Sequence, residues 1–402
     1  MRLVEKLRRI AAPVRAPVAV VGSEGPPGQE VSGELGPYWL RRVRLPLRHE
    51  HGCRSLKTIR RTRTSLLAEI ARDPRLAEVD SSRAVFFDTE TTSLSGGVGT
   101  YVFLFGAGFF EEDAFVVEQY FLHDVTQERA LLDAINRRFR KFDLAVSFHG
   151  KGFDTPRLAG RLTFHGMPLE MPAVHLDLCI VGRSLYRGAF DDCRLQTFER
   201  ELVRFQRNDD LPGSECPTAF FNHLQGNSSM IPRVFRHNLL DILTLPAIAA
   251  SFAAEIADPH HPVVLANLGV FQESVGGDAQ ARRFYVNALP GLRDGRHPLL
   301  GRTLERLALL ERRAGRHTES ARLLMERSET LPYAFQPLED LAKYYEHRVR
   351  DFQWAEATAL DARSRLLTGK IHVDSNARRR HLQALDHRLQ RLHRRIERAG
   401  EG

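Results

Sequence analysis

The sequence predicts an α/β domain, a mixed sheet flanked by helices, followed by an all-α helical-repeat region. Three observations carry that expectation. Apolar runs of strand length stand at 84–88, 101–110, 114–121 and 144–148, with a helix-patterned stretch at 128–142 before the last of them. Beyond Pro262 the periodicity turns helical, with small residues recurring at fixed spacing. At 402 residues and 43% hydrophobic content, the chain is long enough for two or three domains and a substantial core.

Taken in order, residues 1–37 read as a short helix and a flexible segment, because Gly22-Ser23-Glu24-Gly25-Pro26-Pro27-Gly28 cannot hold regular structure. Residues 38–83 form a basic extension of the core, with a strand over 38–47 and a helix over 64–71. The core, 84–254, reads as strands at 84–88, 101–110 and 114–121, a helix at 128–142, a strand at 144–148, a helix at 156–165, and helices onward through Asp241. Three strands, a helical crossover and a further strand make a mixed sheet covered by helices. The stretch Ser95-Gly96-Gly97-Val98-Gly99 precedes a strand rather than a helix, so it is not a dinucleotide fingerprint but a hairpin beside Asp88.

The chemistry is concentrated in a few acids. In Val85-Phe86-Phe87-Asp88-Thr89-Glu90, two carboxylates stand at i and i+2 after an apolar run, so on a strand they share one face. Two like charges so close require a cation, and a hard divalent ion suits oxygen donors. Asp154 follows Gly150-Lys151-Gly152-Phe153 and precedes Pro156, the pattern of a helix cap. His175-Leu176-Asp177-Leu178 is a further polar interruption of apolar sequence. In Val234-Phe235-Arg236-His237-Asn238-Leu239-Leu240-Asp241 the helical spacing puts His237 and Asp241 one turn apart on one face. By contrast, His49-Glu50-His51 has no rigid scaffold around it and reads as a polar turn.

In this order and spacing the set resembles the DEDD exonucleases of the ribonuclease H-like superfamily. Phe87 to Tyr101, Ser147 to Pro156 and Arg236 to Asp241 look like the YprB-like, predicted-exonuclease branch. The resemblance covers roughly residues 38–252 and rests mainly on 84–252. It implies a ribonuclease H-like core and phosphodiester hydrolysis, 3′ to 5′, assisted by two Mg²⁺ or Mn²⁺ ions. Asp88, Glu90, Asp154 and Asp241 would hold the metal, Asp88 bridging the pair, and His237 would take a proton from water. The His-to-Asp spacing of three residues is that of the Tyr subgroup. The contrasting expectation is a nucleic-acid- or protein-binding scaffold whose nuclease-like domain is catalytically weak.

Charge points to where a polyanion would be gripped. The net charge is +8, but residues 84–252 hold 16 Lys and Arg against 21 Asp and Glu, so the core is acidic and its flanks are basic. Nine basic residues and one acid lie between Arg41 and Arg63. Arg41, Arg42, Arg60, Arg61 and Arg63, with Lys151, are therefore the candidate contacts to DNA or RNA. A solvated face in a chain of 52 arginines and 6 lysines would look the same. The four cysteines form no Cys-x-x-Cys pair and are expected to be reduced thiols. With no apolar run near 18 residues and a charged N-terminus, neither a membrane span nor a signal peptide is expected, and the expected location is the cytoplasm.

Residues 262–369 resemble a degenerate, three-unit tetratricopeptide array, a surface for a protein partner. Leu268-Gly269, Leu307-Ala308 and Leu341-Ala342 open units 39 and 34 residues apart; an ordinary helical bundle is the alternative. Residues 370–402 form a basic helix, with Leu382, Leu385, Leu389, Leu392 and Ile396 on one face, that would cap the array or make a coiled-coil contact.

Overall fold

The computed structural model describes residues 25–93, 99–330 and 333–400. The expected N-terminal helix and most of the hairpin at 95–99 lie outside these residues. The chain divides into two compact units, one ending at Pro259 and the other beginning at His260.

The first unit is built on a seven-stranded mixed sheet. Its strands are β1 (Gln29–Gly33), β2 (Gly36–Pro46), β5 (Ala84–Thr91), β6 (Val102–Phe110), β7 (Ala114–Phe121), β8 (Leu144–Ser147) and β9 (Val174–Asp177); β3 (Glu50–His51) and β4 (Arg54–Ser55) form a separate small hairpin. The spatial order is β1-β2-β7-β6-β5-β8-β9. β5, β6 and β7 are an antiparallel meander, whereas β8 and β9 run parallel to β5. The parallel step from β7 to β8 needs a crossover, supplied by helix α1 (Glu128–Phe139). Two strands of the seven-stranded sheet, and both of the small hairpin, were not anticipated. β1 lies in the segment expected to be flexible: its pattern is that of a half-exposed edge strand, too polar to stand out. β9, expected as helix, is four residues that pass directly into helix α3 (Leu178–Tyr186).

Both faces of β5 are covered: nearly every residue of it is buried, and its first half, Ala84–Phe87, is a continuous apolar run. On one face Phe87 and Phe105 pack against Phe139 of α1, with ring centroids 5.5 and 5.3 Å apart. The other face is closed by α5 (Ile231–Ala257), the last helix of the unit after α2 (Asp154–Phe164) and α4 (Cys216–Leu224). By length and composition α5 could cross a membrane, contrary to the expectation that no such run exists, but here it is mostly buried as a core helix.

One row across the sheet determines how α5 sits. Arg41 pairs with Gln119, Gln119 with Gly106 and Gly106 with Asp88, so the four residues share a face on neighbouring strands. Gly106 leaves a gap in the row, and Asn238 of α5 fills it. Asn238 Nδ2 donates to Asp88 Oδ2 at 3.1 Å, while its Oδ1 accepts from Gln119 Nε2 at 2.9 Å. Gln119 Oε1 accepts from Arg41 at 3.1 Å. Two rows along, Gly108 gives the same clearance to Ile242.

The second unit is all helical: α6 (Pro262–Ser274), α7 (Asp278–Asp294), α8 (Leu300–Arg313), α9 (His317–Thr330), α10 (Gln336–Tyr344), α11 (Phe352–Leu367) and α12 (Ser375–Gly400). Successive helices pack as α6/α7, α8/α9 and α10/α11. Small residues mark the close approaches. A β-carbon on Gly269 would meet the Tyr285 ring at 2.4 Å, and Ser320 Oγ donates to the Ala308 carbonyl at 2.8 Å. α12 covers the end of this stack: Leu385 is buried with Phe335, Ala342 and Ala362, and Leu382 and Leu389 pack beside it.

The fold yields a test of the Gly106 seat. A β-carbon at position 106 would lie 2.3 Å from Asn238 Oδ1. Gly106→Ala should therefore cost about 1–3 kcal/mol in denaturant unfolding, the usual cost of overpacking a core. Gly160→Ala, on the exposed side of α2 with nothing within 4 Å, should be neutral or stabilising by up to about 1 kcal/mol.

Candidate functional site

The acids of the first unit converge where β5 ends. Strand alternation puts Asp88 and Glu90 on the face that α5 covers, and α5 brings His237 and Asp241 over them. Nε2 of His237 lies 3.8 Å from Glu90 Oε1 and 3.4 Å from Asp241 Oδ2. One donor atom each from Glu90, His237 and Asp241 lies within 4.8 Å of the others, a spacing that could hold a metal ion. Asp154 arrives from the opposite side. Its Oδ1 accepts from the backbone N–H of Thr89 at 3.1 Å and from the Thr89 hydroxyl, so it sits against the residue between Asp88 and Glu90. Asp154 begins α2 but does not cap it: Phe153 holds the N-cap position, and the Asp154 carboxylate is turned to β5.

The turn carrying Asp154 is braced by Asp177. Its Oδ1 accepts from His149 N at 2.8 Å and its Oδ2 from Lys151 N at 3.1 Å, while Oδ1 also caps α3 through Cys179 N at 3.0 Å. His175 bonds Ser147 Oγ at 2.7 Å. The His175-Leu176-Asp177 motif thus serves to support the turn. His51 is likewise structural, buried with its Nε2 2.9 Å from Thr244 Oγ1.

Electrostatics reflects the crowding. Desolvation, followed by the charges of Asp241, Asp154 and Glu90, raises the Asp88 carboxyl well above its ordinary range. Burial foremost pushes Glu90 up to about 8 and Asp154 up to about 6. For His237 burial works downward, but Asp241, Asp210 and Glu90 outweigh it and bring the imidazole up to about 9. Unless a cation offsets the surrounding carboxylates, they hold His237 protonated at pH 7.

Two residues at the site carry no signal in the motif spacing. Asp210 accepts from His237 Nδ1 at 2.8 Å, and Arg207 donates to Asp241 Oδ1 at 2.5 Å. Both come from an irregular segment after a π-helical turn, Glu199–Val203, the kind of helical irregularity that recurs at functional sites. An open cavity of about 390 Å³ lies against this segment, walled by Glu199, Phe205, Arg207, Asp210 and Leu211. Asn238 could have been suspected, since it stands inside the His237–Asp241 motif.

The basic candidates are distributed differently from the acids. Arg42 pairs with Glu111, and Arg60 donates to the Glu112 carbonyl, both in the β6–β7 turn. That turn is five residues from Gly106 along β6, roughly 17 Å from the row holding Asp88. Arg41 is partly buried, bonded to Gln119 and stacked 5.9 Å over the Phe235 ring. It braces the Asn238 row instead of facing solvent. Arg61, Arg63 and Lys151 are exposed, Lys151 in the turn just before Asp154.

Residues 85–253 match the family model described as the RNase_H superfamily. The first unit contains a ribonuclease H-like domain. Over 357 residues the chain is 28% identical to the uncharacterized protein YprB of Bacillus subtilis (strain 168), covering 83% of this chain and 84% of that protein. The similarity therefore extends well beyond the domain and into the helical unit.

The raised pKa values set the sign of a stability measurement. Without a cation, stability from Asp154 is lost as pH rises from its unfolded value of 3.8 to about 6, from Glu90 between 4.5 and about 8, and from His237 between 6.5 and about 9. In EDTA, Tm should fall by a few degrees from about pH 5 to about pH 9. Glu90→Gln should shallow that slope, and Mg²⁺ or Mn²⁺ should raise Tm most at the alkaline end. A Tm that climbs with pH in EDTA would contradict the carboxylate cluster.

Proposed function

We propose that the chain is a metal-dependent nuclease that hydrolyses phosphodiester bonds of DNA or RNA, and specifically a 3′-to-5′ exonuclease of the DEDD type. The observation that carries this reading is the convergence of Asp88, Glu90, Asp154 and Asp241, with His237, at the end of one central strand. The donor set fits divalent cations: burial, joined at Asp88 and Glu90 by the charge of neighbouring acids, raises three of their pKa values, and hard oxygen donors suit Mg²⁺ or Mn²⁺. Asp88, Glu90, Asp154 and Asp241 would hold two such ions, which when bound would supply water activation and charge stabilisation of the leaving oxygen.

The chain's own groups account for the rest. Asn238 orients Asp88 by donating to its Oδ2, leaving Oδ1 for a cation. Thr89 fixes Asp154 in the same way through Oδ1. His237 presents Nε2 to the cluster because Nδ1 is engaged by Asp210; Nε2 is then the atom that would accept a proton from the attacking water once the neighbouring acids are neutralised. Arg61, Arg63 and Lys151, all exposed, would bear on phosphates. The helical unit, a tetratricopeptide-like array on this reading, would contact a protein partner, and the expected setting is the cytoplasm.

The decisive experiment incubates end-labelled single- and double-stranded DNA and RNA with the protein in Mg²⁺, Mn²⁺ or EDTA. Stepwise shortening from the 3′ end is expected with metal only, and Asp88→Ala or Asp241→Ala should reduce it by orders of magnitude while the protein stays folded. Full activity in EDTA or in Asp88→Ala would refute the proposal. Internal cuts would keep the metal site and remove the exonuclease assignment; binding without cleavage would favour the scaffold.

Arg61 and Arg63 give a separate measurement. Changing both to Gln should lower the log–log salt slope of single-strand binding by about 0.7 for each phosphate no longer neutralised, with little effect at saturating substrate. An unchanged slope would make them a solvated surface.

A further inference from the structure

Arg207 is the most heavily engaged cation of the site. Its Nε donates to Glu199 Oε2 at 2.7 Å, and its Nη2 to Glu199 Oε1 at 3.1 Å and to Asp241 Oδ1 at 2.5 Å. Its Nη1 donates to Asp210 Oδ2 at 3.0 Å, the same oxygen that accepts from His237 Nδ1 at 2.8 Å. One guanidinium therefore touches a residue of the carboxylate cluster and the partner of its histidine. The side chain is only 6% exposed, so these bonds are made away from competing water.

The third carboxylate is an anchor. Glu199 is buried, and besides Arg207 it accepts from the hydroxyl of Thr244, which follows Asp241 by three positions on α5. His51 approaches Glu199 at 3.7 Å from the small hairpin. Arg207 is thus clamped against the helix that carries Asp241 and His237, and its fork is held by an acid outside the cluster.

We propose that Arg207 is a positioning residue for both groups that α5 contributes. It occupies Asp241 Oδ1, so that Asp241 offers Oδ2 alone to a cation, and through Asp210 it holds His237 with Nε2 directed at Glu90 and Asp241. This rests on the metal-site reading above. Planarity is essential to the role: a guanidinium can bond three carboxylates at fixed angles, whereas an ammonium on a flexible stem cannot hold the same geometry. A second view, that Arg207 only offsets negative charge, makes the opposite prediction for metal binding. Removing a cation beside the acids would then tighten the grip on Mn²⁺.

The test uses the full chain and three variants: Arg207→Lys, Arg207→Met and Asp210→Asn. Mn²⁺ binding is followed by electron paramagnetic resonance, and the His237 ring by ¹⁵N NMR with His237→Asn as the assignment control. Arg207→Met leaves Glu199 without its main partner and risks misfolding. Arg207→Lys keeps the charge and is the variant that decides. It should weaken Mn²⁺ binding by about 10- to 100-fold, the usual effect of removing a residue that orients a metal ligand. It should also shift the metal-free His237 ¹⁵N signals, as the acceptor of the Nδ1 proton is no longer fixed in place. Asp210→Asn should shift the same signals while changing Mn²⁺ affinity less than Arg207→Lys does. Wild-type His237 spectra together with equal or tighter Mn²⁺ binding in Arg207→Lys would overturn the proposal. Failure of the wild type to bind Mn²⁺ would refute the metal-site reading instead; the metal-free spectra would still decide whether Arg207 positions His237.

Discussion

Everything at the site depends on how closely α5 can approach the sheet, and that is determined by an amide resting on a glycine. Asn238 fits over Gly106 because position 106 has no β-carbon, and from there it bonds Asp88 on one side and Gln119 on the other. A polar side chain buried at a helix–sheet contact is costly unless its donors and acceptors are used. Here the acceptor and one donor are used, and the Gln119 bond leaves the Asn238 NH₂ pointing at Asp88. With the helix in that register, the residues one before and three after Asn238, His237 and Asp241, come down on Glu90. A packing contact thereby sets the geometry of a charged one.

The charged contact is the opposite of a stabilising core. Glu90, Asp154, His237 and Asp241 are all buried, and the first two are held in a state that resists ionisation. The surrounding frame tolerates this because its hydrogen bonds are directed at particular oxygens: Thr89 to Asp154, Asn238 to Asp88, Arg207 to Asp241. Such a cluster is expensive in an empty protein and favourable around a cation, which is how selectivity for the loaded state can be built from ordinary side chains.

Much of this was legible in the sequence, for reasons that differ by element. β7 was readable to the residue because Ala114–Phe121 is apolar but for Glu118 and Gln119 and lies between polar turns, and α1 was overextended only where Arg140 to Phe142 continue its pattern past the last turn. β1 and β9 were not, one being polar and at an edge, the other four residues long with no turn before its helix. Asp88 with Glu90, and His237 with Asp241, could be paired because strand and helix periodicities place each pair on one face, while the resemblance to the DEDD exonucleases is what joined the two pairs. Arg207 and Asp210 could not, since they reach Asp241 and His237 from 34 and 27 residues away through irregular backbone that has no period to read. Charge counting over 41–63 could not foresee that Arg42 pairs with Glu111 and Arg41 with Gln119, because it carries no information on which acid or amide an arginine meets.

The order in which the chain is made gives α5 one more consequence. Asp88 and its partner Asn238 are separated by 150 residues, and α5 is the last element of its unit. During synthesis, the meander and its parallel strands leave the ribosome first, with the α5-facing side of β5 and β6 uncovered until residue 257 has been added. For that interval the nascent chain carries the sheet without its lid and the acids without their histidine. The cluster can assemble only when the whole unit has emerged, so a chain truncated before α5 would keep Asp88, Glu90 and Asp154 but lack His237 and Asp241.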